Sequence, residues 1–109
     1  MLYIASSKMS GDNNITWFEQ PGEVINHTSF KVFQVIYDDA ALAHGPLNEN
    51  SDLYLGHVFL ITNSNGKYYY DEEIISVPTG KVVRQVGVYR YSTNNNRTKT
   101  VPVIEIMDK

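Results

Sequence analysis

VGVYRYSTNNNRTKTVPVIEI, residues 86–106, sets two runs of β-branched and aromatic residues on either side of three consecutive asparagines. Such side chains suit a pleated, half-buried surface, and asparagine tolerates the left-handed backbone region better than most residues. The segment therefore reads as a long hairpin closed by Asn94, Asn95 and Asn96. With those three as the loop, Thr93 lies opposite Arg97, Tyr91 opposite Lys99 and Tyr89 opposite Val101. Because successive strand residues alternate between faces, one face carries Tyr89, Tyr91, Thr93, Arg97, Lys99 and Val101. The other carries Val88, Arg90, Ser92, Thr98, Thr100 and Pro102. Both faces turn polar beyond Tyr89 and Val101, so the tip has no core to cover it. At ~3.4 Å per residue, roughly 10 to 17 Å of hairpin is expected to project from the body.

The rest of the chain is in keeping with this hairpin. Val (11), Ile (9), Thr (7) and Tyr (8) outnumber Ala (4) and Leu (6), which points to an all-β protein. A length of 109 residues suits one domain with one core. With 42% hydrophobic and 19% charged residues, the composition is globular. No apolar run approaches the ~20 residues of a membrane helix. Residues 1–29 are irregular, short apolar runs broken by SGDNN and Pro21-Gly22, and read as a wrap around a core made by residues 30–109.

Within 30–109, FKVFQVIY is a strand, followed by DDAALAHGPLNENSD as one helical turn or an irregular connection. LYLGHVFLIT and KYYYDEEIIS flank Asn65-Gly66, the dipeptide of a tight hairpin turn, and read as a second hairpin. Residues 53–62 are apolar at both parities, as in a strand covered on both sides. Around Gly87 the apolar parity is mixed, which signals a bulge or sharp bend. About five long, bent strands predict a small antiparallel β-barrel, SH3-like or OB-like, with a projecting C-terminal hairpin. A curled antiparallel sheet or β-sandwich is the alternative.

Little here points to catalysis. His27, His44 and His57 show no metal-ligand spacing, and no serine lies in a nucleophile-elbow or S-x-x-K pattern. There is no P-loop and no dinucleotide fingerprint, and the absence of cysteine removes thiolate chemistry. Asp38-Asp39 and Asp71-Glu72-Glu73 lack the alternating order of a calcium loop, and on a strand only Asp71 and Glu73 share a face. No cofactor and no metal are expected. A hydrolase or transferase using His57 with Asp71 and Glu73 is the enzymatic alternative to a non-enzymatic reading. Of Tyr68, Tyr69 and Tyr70, the middle ring should face opposite to its neighbours, and Trp17 reads as packing.

Charge is unevenly spread. Residues 38–73 hold seven acids and Lys67, a formal −6, whereas residues 81–100 hold Lys81, Arg84, Arg90, Arg97 and Lys99 and no acid, a formal +5. Tyr89, Tyr91, Arg90, Arg97 and Lys99 on the projecting hairpin are thus the candidate binding residues. Aromatic rings beside bases suit single-stranded nucleic acid, but two or three cations release few counterions and the sequence pI is about 5.5. A protein partner is therefore the leading expectation and nucleic acid the alternative. MLYIASSKMSGD has no basic, apolar leader pattern, so a natural start at Met1 implies the cytoplasm, and a removed leader implies export.

Overall fold

The computed structural model describes residues 14–48 and 53–109, and the chain is all-β, with no helix among them. Eight strands form one mixed sheet: β1 (Ile15–Trp17), β2 (Val24–Ile25), β3 (Ser29–Tyr37), β4 (Ala40–His44), β5 (Val58–Thr62), β6 (Ile74–Ser76), β7 (Lys81–Ser92) and β8 (Thr98–Asp108). Their spatial order is β1-β7-β8-β5-β4-β3-β6, and β2 shares the outer edge of β7 with β1. The N-terminal run LYIA falls outside the described residues.

The sheet curls but does not close. Only Asn26, His27 and Thr28 separate β2 from β3. That stretch spans at most ~14 Å, whereas five strand spacings in a flat sheet come to ~24 Å. Ile25 from one side and Ile75 and Tyr69 from the other pack into the same cluster with Phe30, Val32, Phe59, Ile61 and Ile104. This cluster fills the concave face. No ladder joins β6 to β7, so the expected barrel is replaced by an open, curled sheet.

The single expected core is in fact two. Ala40, Leu42, Leu60 and Val103 belong to a second cluster with Ile15, Val86, Tyr89 and Val101, while their chain neighbours Ala41, Ala43, Ile61 and Ile104 belong to the first. Alternation therefore sends consecutive residues of β4, β5 and β8 into opposite cores. β7 serves both as well, and because its register slips between Gln85 and Gly87, Val83 and Tyr89 face different clusters although they share a parity. Gly87 is required there, since a Cβ would lie 2.4 Å from the Thr16 carbonyl oxygen.

Three local expectations are corrected. Ala40–His44 is a strand and not a helical turn, with its four alanine and leucine side chains buried. Small Ala41 and Ala43 leave room on the concave face for Phe30 and Phe59, whose rings meet edge to face at 5.5 Å. Residues 53–62 are not one covered strand: Leu53 and Leu55 are exposed, and β5 begins at Val58. Asn65-Gly66 turns the chain, with Gly66 at φ 76°, yet no hairpin follows. β4 and β8 occupy both edges of β5, and the β5–β8 pairing is parallel. Denied an edge there, Lys67–Ser76 crosses to β3, where the Glu72 amide donates to the Val32 carbonyl and the Val32 amide to that of Glu73. Asn63 organises the turn, its Oδ1 accepting from the Asn65 and Lys67 amides.

Candidate binding site

The C-terminal hairpin pairs as its sequence predicts: Ser92 with Thr98, Tyr91 with Lys99, Arg90 with Thr100 and Tyr89 with Val101. Its loop is closed by the Thr93 amide donating to the Arg97 carbonyl at 2.8 Å. The Asn96 amide donates to the Thr93 carbonyl, and Asn96 sits at φ 60°. This is the three-residue loop in which a turn is followed by one left-handed residue.

The closing bond also sets which backbone groups face inward. In an antiparallel pair the bonded positions alternate, so Tyr91 and Lys99 exchange bonds, whereas Ser92, Thr98 and Thr100 point theirs outward. The Arg90 amide, in the same phase as Ser92, accordingly donates to the Asn14 carbonyl of the chain beside it. Among the described residues, neither Ser92 nor Thr98–Thr100 has a strand on its outer side. Pro102 occupies an outward position too, where its missing N–H breaks no bond to β7.

The five candidate residues divide. Arg90, Arg97 and Lys99 are exposed, while Tyr91 is half-buried. Tyr89 is only 6% exposed and belongs to the second core, its ring stacked on that of Tyr91 at 5.5 Å. The two tyrosines border a polar groove of about 380 Å³ with Gln34, Ile36, Leu42 and Thr93. Lys81 and Arg84 are engaged elsewhere: Lys81 pairs with Asp108, and Arg84 Nε donates to the Gly22 carbonyl.

The three residues of the enzymatic alternative are placed in different surroundings. Asp71 Oδ1 accepts from the Val35 amide, and buried Glu73 holds the Lys67 ammonium at 2.5 Å and accepts from the Tyr70 amide. His57 lies instead in a cleft of about 480 Å³ whose lining contains neither acid. Among the described residues no three histidine or acidic side chains group as metal ligands. Tyr69 is buried and its neighbours Tyr68 and Tyr70 are exposed, the alternation expected of them. Burial raises the Tyr69 phenol to about 12; Glu105, Glu73 and Asp39 add to the rise and a hydrogen bond to Asn63 opposes it.

The His57 cleft is the feature that sequence reasoning missed. His27 lines it as well, together with Asn26 and Thr100. The two histidines are thirty positions apart in the chain, and only the curl of the sheet brings β2 beside the start of β5. His27 is seated edge-on against Phe30 and Phe59, at 5.8 and 5.9 Å, and rests on Gly45, where a Cβ would come within 2.9 Å of its ring. No family model, curated protein or solved structure matches this chain. Among the described residues no helix is long and apolar enough to cross a membrane.

Proposed function

We propose that this chain is a non-enzymatic binding module whose ligand is an extended segment of a partner protein, added as a strand along β8 at Thr98–Thr100. The observation that carries this reading is the outward aim of the Thr98 and Thr100 amides and carbonyls, with no strand beside them among the described residues. Strand addition to such an edge uses main-chain hydrogen bonds for affinity and side-chain contacts for selection. Arg97 and Lys99 lie next to this edge without a carboxylate partner among the described residues, which favours a segment bearing acidic side chains. Lys99 and Pro102 also limit the edge to a short stretch, the usual guard against indiscriminate pairing.

Four ladder bonds at about 1 kcal/mol each amount to millimolar affinity at best, so side-chain contacts must supply the rest. Burial of Tyr89 takes away one of the two stacking rings that a single-stranded nucleic acid would use. The test is selection of random peptides on the immobilised protein, followed by titration of enriched peptides against the parent and Thr100→Pro, which lacks one outward N–H. Enriched β-prone, acidic peptides that bind the parent and lose at least tenfold with Thr100→Pro are expected. No enrichment, or equal binding to the variant, overturns the proposal; salt-sensitive binding of single-stranded DNA or RNA would replace it.

A further inference from the structure

Resting on the strand-addition reading, we infer that the cleft between His27 and His57 receives the free C-terminal carboxylate and the last, apolar side chain of the added segment. β5 defines the lane that this segment would occupy. β5 runs parallel to β8 with Leu60 beside Val103, so Val58, where β5 begins, is level with Val101. Before Leu60 the chain parts from β8 and stays with β4: the first β5–β8 pair is Leu60–Val103, whereas the Gly45 amide donates to the His57 carbonyl in register with the His44–Val58 pair, His44 Nδ1 lies 3.1 Å from the Gly56 carbonyl, and the Tyr54 hydroxyl reaches Ser29 of β3. The edge at Thr98–Thr100 is therefore the empty continuation of the β5 lane among the described residues. That lane runs into the cleft, whose walls include Thr100 and Pro102 of β8 and His57 and Val58 of β5.

The chemistry of the lining decides the direction of the segment. A strand antiparallel to β8 would bring its amino end to the cleft, and a parallel one its carboxyl end. An ammonium group is best met by carboxylates, and among the described residues the lining has no carboxylate. It offers the imidazoles of His27 and His57, the Asn26 amide and the Thr100 hydroxyl, all of which can donate to a carboxylate. The parallel direction, which β5 already follows, is the one that matches. Val24, Ile25 and Phe59 supply the apolar wall for the last side chain. The seat of His27 on Gly45, between two phenylalanine rings, holds one of the donors in place before any ligand arrives.

The probe is the tightest-binding hexapeptide from a library displayed with free carboxyl ends, synthesised as the acid and as the C-terminal amide. Both are titrated against the parent, His57→Gln and the His27→Gln/His57→Gln double variant. The acid should bind the parent at least tenfold more tightly than the amide, and that preference should fall below threefold in the variants. His57 is exposed, so its single variant keeps the measurement open if the double variant does not fold. Acid and amide binding equally, both weakened by Thr100→Pro, would overturn this inference and leave strand addition standing. No binding of any peptide would remove both.

Discussion

The Thr93 amide donates to the Arg97 carbonyl, and this one bond across the hairpin loop fixes what the arm presents to solvent. From it the ladder alternates back along both strands, turning the amides and carbonyls of Thr98 and Thr100 outward and those of Lys99 toward β7.

Asn96 holds that loop at a positive φ of 60°. Asn96→Gly removes the residual steric cost of the left-handed region and should raise stability by about 0.5 kcal/mol, whereas Asn96→Val should lower it by about 1 to 2 kcal/mol. Urea unfolding of the two variants provides the check.

Gly87 sits where β7 slips register and β1 crosses close by, its absent Cβ taking the place of a 2.4 Å contact with the Thr16 carbonyl. Gly87→Ala should cost about 1 to 3 kcal/mol by forcing β1 away. Hydrogen exchange should show lost protection at the Phe18 amide, which donates to Val86.

Leu60 is fully buried in the middle of β5, and Leu55, five residues earlier, is 66% exposed. Leu60→Ala should destabilise the protein by about 2 to 5 kcal/mol. Leu55→Ala should stay within ~0.5 kcal/mol, and a pair of thermal or urea midpoints separates the two.

Tyr69 titrates near 12 in the folded protein, above the ordinary value of 10.0, because burial disfavours its phenolate. The stability linked to this raised value is fully present below the ordinary pKa and is lost as pH climbs from there through the folded one. Phenolate absorbance should show one tyrosine ionising last, and Tyr69→Phe should lose less stability than the parent over that alkaline window.

Arg97 and Lys99 are exposed near the tip. Replacing either by Ala should change stability by no more than ~0.5 kcal/mol, so a variant that unfolds at the parent's midpoint but loses peptide binding reports on recognition alone.

How much of this was legible varies with the range of the interactions involved. The last hairpin, its register, its asparagine loop and the bulge at Gly87 are all present in residues 81–108, since neighbouring strands joined by a short loop carry their own phase. The second hairpin was misread because Asn65-Gly66 encodes a turn but not the strand that should return beside β5. Of the candidate residues, Arg90, Arg97 and Lys99 are exposed as expected, but Tyr89 went into a core that is formed largely by other strands.

By itself, then, the sequence determined the β character and the pairing of the last hairpin, because strand propensity, alternation and loop chemistry act over a few residues. Only the tertiary structure decided that Val58–Thr62 pairs in parallel with the last strand, that Ala40–His44 extends beside it, and that His27 meets His57 in one cleft. Those outcomes depend on which strand occupies each edge and on how far the sheet curls to bury both its faces. Competition for edges and burial on two sides is settled among residues far apart in the chain, and no local pattern records it.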